Sequence, residues 1–521
     1  MRTRVPNPIL PGFYPDPSIC RVGEDYYLVN STFNYFPGVP IFHSRDLVHW
    51  KQIGNVLDRR EQIDLTDTGS TGGIYAPTIR YHEGTFYMIT TNVSHGGNFI
   101  VTAKNPAGPW SDPVFIGSDG IDPSLFFDDD GKCYYTGTKE RREGHKYFGD
   151  NEIYVQELDL TTLSLIGESY PIWHGAMKDV EWPEGPHLYK KYGRYYLMIA
   201  EGGTDYEHSV TIAVGDSLKE PFTGYRCNPI LTHRHLGRDY PIVNVGHGDL
   251  VETQNGETYM VVLASRPYGG YYRNLGRETF LVPVTWENGW PVVNKGIGLV
   301  ESTVEAPNLP ESLIDSVPDR EDFEGERLPF HFLYLRNPNP ENYSLSARKG
   351  YLRMKLAPDR MSERTNPTYI GVRQSGMSYQ LETRMDFTPK SSEEEAGLVL
   401  LQSNLYHYRF VCTLIEGKKA IRVVRCFDGK EQVIGGVACE NPDSTSESLI
   451  LRITTNQQVL LFSYSPDGEH FIAVKSGVDA TMLSTDVAGG FVGTTMGLYC
   501  SSNHSKSDNF ADFDYLEYKN I

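Results

Sequence analysis

The stretch GFYPDPSICRVGEDYYLVN at residues 12–30 carries the pattern that decides the fold. It begins with a turn rich in glycine and proline, continues as an apolar strand, turns at Gly23 and ends in an aromatic-rich strand. Short apolar and aromatic runs separated by such turns are typical of paired β-strands. Asp16 lies between Pro15 and Pro17 at the start of the first strand, where a carboxylate is either a turn residue or a positioned reagent.

The same pattern recurs four times further along the chain. The recurrences are APTIRYHEGTFYMITTN (76–92), DPSLFFDDDGKCYYTGT (122–138), EGPHLYKKYGRYYLMIAEGG (184–203) and HGDLVETQNGETYMVVLAS (247–265). A second hairpin pattern follows each unit, so each unit holds about four strands. Five such units are typical of a five-bladed β-propeller, and helical periodicity is almost absent before residue 300. The sequence therefore predicts an all-β fold.

A change of pattern marks a second domain. The stretch VEAPNLPESLIDSVPD at 304–319 is rich in proline and polar residues, which is typical of a linker. Longer alternating strands follow it, with hairpin turns such as Asp428-Gly429. We therefore predict a catalytic propeller over 1–303, a linker over 304–319 and an antiparallel β-sandwich of concanavalin-like jelly-roll type over 320–521. A chain of 521 residues also exceeds the size of a single core.

Composition excludes several classes of partner. A net charge of −19 argues against nucleic acid, because phosphate binding requires a basic surface. The seven cysteines are scattered and never form CxxC, so we expect reduced, mostly buried thiols. The amino-terminal stretch MRTRVPNPILPG has no apolar signal core, and no run reaches membrane-spanning length. These features predict a cytoplasmic protein without a membrane partner; the oligomeric state stays open, with a homo-oligomer as one option.

Three acids occupy matched positions in the repeats. Asp16, Asp122 and Glu184 stand at the starts of three of the five units. The innermost strands of a propeller line one channel, so these carboxylates converge at one end of it. A lone acid before proline is more typical of a turn, but repetition at matched positions favours a site. Converging carboxylates drive their pKa values apart, which suits hydrolysis by one protonated acid and one ionised base.

The motifs that carry these acids also resemble a known family. They are NPILPGFYPDPSIC (7–20), GIDPSL (120–125), VEWPEGPHLY (180–189), GHGDLVET (246–253) and LGRETFLVPVTW (275–286). In order and spacing the chain resembles glycoside hydrolase family 43, and more narrowly its β-xylosidases and α-L-arabinofuranosidases with a carboxyl-terminal sandwich. The resemblance implies an inverting mechanism without a required cofactor. Asp16 would be the general base and Glu184 the general acid, while Asp122 would raise the pKa of that acid and orient it.

The same resemblance implies residues that bind the sugar. Arg277 matches the arginine that contacts sugar hydroxyls and the catalytic carboxylates. Phe33, Tyr75, Ala76 and Thr204 match positions that line the pentose pocket. Tyr75 replaces the more usual tryptophan of the family, which affects how tightly the pocket holds xylose compared with arabinofuranose.

Two further residues are implied with other roles. His247 matches the histidine that faces the channel and that supports a calcium ion or water there in many members. One histidine with waters would give a weak, structural calcium site, because calcium prefers oxygen ligands. Phe510 follows a polar loop between two strands of the second domain, and we expect it to help close the pocket.

These inferences predict an exo-acting inverting hydrolase that releases terminal pentoses from xylo-oligosaccharides or arabinoxylo-oligosaccharides. Preference for β-D-xylose or for α-L-arabinofuranose stays open. One alternative is an endo-arabinanase of the same family, although those enzymes tend to lack the sandwich. The other is a non-catalytic sugar-binding propeller, which would repeat aromatic contacts in every blade and would need no acid pair.

Overall fold

The computed structural model describes residues 3–439 and 448–521, and regular structure there is almost entirely β. The exceptions among these residues are one single-turn α-helix at Thr485–Ala488 and three 3₁₀ turns at Arg60–Gln62, Pro340–Asn342 and Thr481–Leu483. Within the same ranges no helix is long and apolar enough to cross a membrane. The prediction of an all-β chain is confirmed.

The first 293 residues form five antiparallel sheets whose strands follow the chain order. Sheet one contains Ser18–Val22, Asp25–Val29, Gly38–Ser44 and Lys51–Leu57; sheet two contains Thr78–His82, Thr85–Asn92, Gly97–Ala103 and Val114–Phe115. Sheet three contains Ile121–Phe127, Cys133–Glu140, Asn151–Asp159 and Ser164–Trp173. Sheet four contains Glu184–Lys191, Arg194–Glu201, Ser209–Gly215, Thr223–Gly224 and Leu231–Thr232. Sheet five contains Val243–Glu252, Thr258–Ser265, Glu278–Glu287 and Trp290–Val293.

The first strand of each sheet is its inner strand. Each inner strand contacts the inner strand of the next sheet, and that of sheet five contacts that of sheet one, so the sheets close into a ring. A separate buried cluster fills each space between neighbouring sheets, where apolar side chains alternate along the strands. Burial of each large apolar side chain contributes roughly 1.5–3 kcal/mol. The ring thus places the starts of its inner strands together.

The ends of the ring segment are tied together. Arg4–Pro6 pairs with Thr303–Glu305, with Val5 opposite Val304. This two-stranded pair lies where the sequence predicts the start of the linker. Arg4 adds a side-chain hydrogen bond to the carbonyl of Thr303 (2.7 Å), which holds the two ends in register.

The second domain is a β-sandwich of two antiparallel sheets. The larger sheet contains, in order, Tyr343–Ser344, Leu352–Lys355, Phe510–Asn520, Tyr379–Asp386, Ser448–Asn456, Val459–Ser465 and Ile472–Asp479, with Arg320–Glu321 beside Phe510–Asn520. The smaller sheet contains Thr368–Arg373, Thr495–Ser501, Glu395–Ser403, Tyr406–Ile415, Lys418–Phe427 and Lys430–Ala438. One apolar core, with Leu398, Phe410 and Phe462 fully buried, lies between the two sheets. The predicted sandwich is confirmed.

The sandwich packs directly against the ring. Tyr35–Phe36 of the ring pairs with Tyr334–Leu335 of the second domain. A shared apolar cluster joins Phe13 of the ring to buried Tyr369 and Val492 of the sandwich. Phe13 lies three residues before Asp16, so the sandwich contacts the segment that carries this acid.

The cysteines are free thiols. Cys227 is exposed and Cys439 half-buried, and the buried ones are Cys20, Cys133, Cys412, Cys426 and Cys500. Burial raises the pKa of the Cys20 thiol to about 12, which disfavours a reactive thiolate. The expectation of mostly buried thiols agrees with this arrangement.

Candidate active site

The three acids predicted from the sequence lie around one cavity of about 60 Å³ at the start of the inner strands. The cavity is lined by Asp16, Phe33, Tyr75, Ala76, Ile121, Asp122, Glu184, Thr204, His247, Arg277 and Phe491. The structure therefore brings together every predicted site residue except Phe510. A larger groove of about 930 Å³, between the two domains around Phe330, has none of the acids in its lining. The volume of a cavity alone would therefore not identify the one that the three acids line.

The backbone that presents these side chains is strained in a repeated way. Asp16, Asp122 and His247 adopt left-handed conformations with φ of 51°, 52° and 49°. Such values are uncommon for residues other than glycine and cluster at functional sites. In sheet four the left-handed residue is Gly185 (φ 58°), one position after Glu184. Glu184 therefore enters the cavity from a different backbone position than Asp16 and Asp122.

Asp16 is held as an ionised carboxylate. Its Oδ1 accepts a hydrogen bond from Arg277 Nη1 (2.8 Å), and its Oδ2 accepts one from the Ser31 hydroxyl (2.6 Å). Burial pushes its pKa upward, but Arg277, His247 and Ser31 together bring the pKa below its ordinary value. Asp16 is 5% exposed, so the charged form depends on these partners.

Glu184 is in the opposite state. Burial raises its pKa well above the ordinary value, and the negative charges of Asp122 and Asp16 raise it further. Among the described residues none donates a hydrogen bond to its carboxyl group. The residue remains partly exposed because it borders the open cavity, while protein surrounds it on its other sides. Glu184 therefore holds a proton that an incoming molecule can reach.

Asp122 is the third acid of the cavity, and its pKa is also raised. Its Oδ2 accepts a hydrogen bond from the backbone N–H of Gly185 (3.2 Å), the residue after Glu184. Burial raises the pKa of Asp122 to about 6, although the nearby His247 opposes the shift. Above that pH its charge disfavours ionisation of Glu184.

Aromatic rings form the wall of the cavity, and one of them comes from the sandwich. Phe33, Tyr75 and Phe491 contact one another, with ring centroids 5.3–5.9 Å apart. Arg277 packs over Phe33 and Phe491 at 5.4 and 5.6 Å, and its Nη1 also donates to Thr204 Oγ1 (3.0 Å).

The prediction that Phe510 closes the pocket is wrong. Phe510 begins the strand Phe510–Asn520, is 38% exposed and packs under the guanidinium of Arg353 at 3.7 Å. Phe491 takes the expected position instead. The sequence signal for it is the pair Gly489-Gly490, both with positive φ, which turns the chain just before this aromatic residue.

A wider cleft of about 740 Å³ adjoins the cavity and shares Thr204, Arg277 and Phe491 with it. Trp182, two residues before Glu184, lines this cleft together with Tyr206 and Arg273. Phe148, which is 73% exposed, contacts the ring of Trp182 with centroids 5.1 Å apart. The cleft offers space beside the cavity for a group larger than the cavity holds.

His247 is the residue predicted to support a cation. Its Nδ1 lies 4.0 Å from Asp16 Oδ1, and its ring packs against Gly185, where a Cβ would come within 2.8 Å. Asp16 is already bonded to Arg277 and Ser31, so its carboxylate is occupied by these donors. This donor set fits a cation held through water rather than by direct carboxylate ligands.

A second group with metal-ligand chemistry lies in the sandwich. His407, Cys426 and Glu431 bring one ligand atom each within 4.8 Å of one another. Both carboxylate oxygens of Glu431 already accept hydrogen bonds from Arg409 (2.9 and 3.1 Å), and Arg360 donates a third (2.8 Å). Two guanidinium groups at this point repel a cation, so the cluster is a buried polar network.

The cavity contains the parts needed for acid/base hydrolysis. It combines an ionised carboxylate, a protonated carboxyl group and a buried guanidinium beside aromatic walls that suit the apolar face of a sugar. A pair of carboxyl groups whose pKa values are shifted in opposite directions is what glycoside hydrolysis by a general acid and a second carboxylate requires.

Comparison with known proteins gives the family. The model of the glycosyl hydrolases family 43 matches residues 5–291, and that of the β-xylosidase C-terminal concanavalin A-like domain matches residues 320–519. The chain belongs to glycoside hydrolase family 43 and is a glycosidase. The family predicted from the motifs is thereby confirmed.

Individual relatives align along nearly the whole chain. A xylosidase/arabinosidase of Butyrivibrio fibrisolvens is 49% identical over 99% of both chains. A non-reducing end α-L-arabinofuranosidase of Bacteroides ovatus is 40% identical over 98% of this chain and 94% of its own. The crystal structure of a xylan β-1,4-xylosidase from Bacillus halodurans superposes with a TM-score of 0.92 at 37% identity, covering 99% of this chain and 100% of the other.

Proposed function

We propose that this glycosidase removes terminal pentose residues from short xylo-oligosaccharides or arabinoxylo-oligosaccharides, with inversion at the anomeric carbon. The observation that carries the proposal is the convergence of Asp16 and Glu184 on one small cavity, where their surroundings shift the two pKa values in opposite directions. Inversion requires one ionised and one protonated carboxyl group on opposite sides of the sugar ring.

Each acid has one task in this mechanism. Asp16 accepts a proton from a water molecule, whose oxygen then bonds to the anomeric carbon. Glu184 gives its proton to the glycosidic oxygen as the bond from that oxygen to the anomeric carbon breaks. Asp122 touches neither atom; its charge keeps the proton on Glu184 until the leaving group needs it.

The binding residues suit a single pentose at the chain end. Phe33, Tyr75 and Ala76 form one wall, and Arg277 with Thr204 offers polar contacts to hydroxyl groups. Phe491 from the sandwich extends this wall, and a pocket enclosed by both domains favours exo-action over the open cleft of an endo-arabinanase. The paired acids likewise argue against a binding protein without activity, because such a protein would gain nothing from the repulsion between them.

The names of the relatives support both pentose specificities. β-D-Xylopyranose and α-L-arabinofuranose can present similar hydroxyl positions to one pocket, and the relatives include a xylosidase/arabinosidase and an α-L-arabinofuranosidase. We therefore propose dual activity, with the replacement of tryptophan by Tyr75 affecting the balance between the two sugars.

Other properties remain proposals of the same kind. The five sheets are proposed to be the blades of a five-bladed propeller, and the enzyme to be cytoplasmic, with homo-oligomerisation open. Hydrolysis is proposed to need no cofactor, and a calcium ion held through water beside His247 would be structural. Activity that survives exhaustive treatment with EDTA, with a lowered melting temperature, would support this role for calcium.

The test compares substrates. We expect kcat/KM to be substantial on both nitrophenyl β-D-xyloside and nitrophenyl α-L-arabinofuranoside, with xylobiose cleaved to xylose. Polymeric arabinan that is cut internally, with neither pentoside hydrolysed, would instead establish the endo-arabinanase. Absence of any hydrolysis alongside measurable sugar binding would establish the binding protein.

A further inference from the structure

Two segments, one from each domain, lie side by side at the edge of the sugar pocket. Residues 273–277 belong to the ring, and residues 486–494 belong to the sandwich. The backbone N–H of Thr494 donates to the carbonyl oxygen of Asn274 (2.8 Å). The sandwich segment contains Phe491 and the ring segment ends at Arg277, so each segment contributes one residue to the lining of the pocket.

The carboxylate of Asp486 binds both the backbone and the side chain of Arg273, the first residue of the ring segment. Its carboxylate accepts hydrogen bonds from the backbone N–H of Arg273 (2.8 Å), from Nε (3.1 and 3.2 Å) and from Nη2 (2.8 Å). The two side chains are only 8% and 7% exposed. Tyr206 adds its hydroxyl to Asp486 Oδ1 (3.3 Å), and its ring lies 4.6 Å from the Arg273 guanidinium. A charge pair this buried and this well bonded fixes geometry.

The other end of the sandwich segment acts on the general base. The carbonyl oxygen of Phe491 accepts a hydrogen bond from Arg277 Nη2 (3.1 Å), while Nη1 of the same guanidinium donates to Asp16 (2.8 Å). The backbone N–H of Phe491 donates to the carbonyl oxygen of Ser70 in the ring (3.2 Å). Phe491 therefore both closes the pocket and orients the arginine that keeps Asp16 ionised.

We propose that Asp486 is a positioning residue for catalysis. It anchors the sandwich segment on Arg273, so that Phe491 completes the sugar pocket and its carbonyl group orients Arg277 on Asp16. This inference rests on the proposed function of Asp16 as the base. The sandwich therefore contributes directly to the active site through Phe491.

The remaining contacts of the segment do not replace this anchor. Gln402 donates to the carbonyl oxygens of Gly489 (3.0 Å) and Val492 (3.3 Å), but it belongs to the sandwich and so leaves the distance to the ring unconstrained. The bonds from Phe491 to Ser70 and from Thr494 to Asn274 do join the two domains, but each is a single neutral hydrogen bond. Asp486 supplies the charged connection between the domains here.

Asp486→Asn is the test, and Asn337→Ala is its matched control. Asn337 also joins the domains through buried hydrogen bonds, to the carbonyl oxygen of Ile63 (3.0 Å) and from the N–H of Leu65 (2.6 Å), and none of the three lines the sugar pocket. We expect Asp486→Asn to lower kcat/KM on aryl pentosides on the order of tenfold to a hundredfold, since small misplacements at a site have such effects. Asn337→Ala should lower the melting temperature and leave kcat/KM near wild type.

The pH profile separates positioning from a general loss of stability. Asp16 faces Arg277, His247, His208, Asp122 and Glu184, of which Arg277 lowers its pKa most. A displaced Arg277 lets that pKa rise, so the acidic limb of kcat/KM in Asp486→Asn should move to higher pH, and in Asn337→Ala it should not. An unmoved limb with wild-type kcat/KM, or equal losses in both variants, would overturn the inference.

Hydrogen exchange gives a readout that needs no activity. The amides of Phe491 and Thr494 should exchange faster in Asp486→Asn and at the wild-type rate in Asn337→Ala. Unchanged protection in Asp486→Asn would overturn the positioning role. A wild-type enzyme that hydrolyses neither pentoside would refute the proposed function, whereas an active wild type with an unaffected Asp486→Asn would refute only this inference.

Discussion

Two buried polar clusters lie along the inner strands of the ring, and they differ in how many donors serve each carboxylate. In the active site, Glu184 receives no hydrogen bond from a described residue, and its pKa is raised. Further along the strands, Asp249 accepts bonds from Arg80 (2.8 and 3.2 Å), Tyr189 (2.7 Å) and Ser18 (2.8 Å). The pKa of Asp249 is therefore lowered despite its full burial. Burial alone does not determine whether a carboxyl group is protonated, because hydrogen-bond donors and positive charges around the group lower its pKa.

The largest effect expected from this comparison is on catalysis. Glu184→Gln and Asp16→Asn should each lower kcat on a natural xyloside by about 10²–10⁴-fold, because each removes one proton-transfer step. Both variants should melt cooperatively. Glu184→Gln should do so near the wild-type temperature, whereas Asp16→Asn leaves the buried Arg277 guanidinium beside an amide and should melt at a lower temperature. Steady-state kinetics with thermal unfolding measures both.

The two variants differ in rescue. Glu184→Gln should retain much more activity on a substrate whose leaving group needs no protonation than on xylobiose, whereas Asp16→Asn should lose activity on both. Equal losses of Glu184→Gln on the two substrates would mean that Glu184 is not the acid.

The second effect is on stability. Asp249→Asn leaves the Arg80 guanidinium buried beside an amide, and breaking a buried pair in this way costs about 3–5 kcal/mol of unfolding free energy. Chemical denaturation measures this loss, while the folded fraction at low temperature should keep most of its kcat/KM. A variant with wild-type stability would show that the Asp249 cluster is not the structural counterpart of the active site.

The third expected effect is on KM, and it distinguishes Phe491 from Phe510, two aromatic residues of the sandwich. Phe491→Ala opens the sugar pocket and should raise KM for aryl pentosides on the order of tenfold, about 1.4 kcal/mol of binding. Phe510→Ala, at the start of the strand Phe510–Asn520 and beneath Arg353, serves as the control and should leave KM unchanged. The reverse result would restore the prediction made for Phe510 from the sequence.

The smallest effect is a shift in pH dependence. Asp122→Asn removes a negative charge beside Glu184, so the proton on Glu184 is lost more easily and its pKa falls. The basic limb of kcat/KM should therefore move to lower pH, while the acidic limb from Asp16 should move less. Because these carboxyl groups titrate together, the direction is the expected result. A basic limb that stays in place would leave Asp122 as a turn residue.

Much of the architecture was predictable because it repeats. Alternating strands and glycine turns appear five times in the first part of the sequence, and acids stand at matched positions in three of these five units. Periodicity says nothing about contacts between distant segments. Phe491 reaches the pocket from the second domain, more than 300 residues after Glu184, and only its Gly-Gly turn hints at exposure.

Other features depend on three-dimensional environment rather than on motif. The donors around Asp249 come from three different inner strands, so its GHGDL context could not separate it from the catalytic acids. The shift of the left-handed residue from Glu184 to Gly185 likewise follows from the local strand register.

The stereochemistry of the first product tests the central claim most directly. If Asp16 activates a water molecule as the base while Glu184 protonates the leaving oxygen from the opposite side of the sugar, the single displacement inverts the anomeric carbon. Proton NMR of a β-xyloside digest, recorded before mutarotation, should show α-xylose as the first product. Initial release of β-xylose would mean a retaining enzyme with a covalent intermediate, and would contradict the assignment of Asp16 as the base.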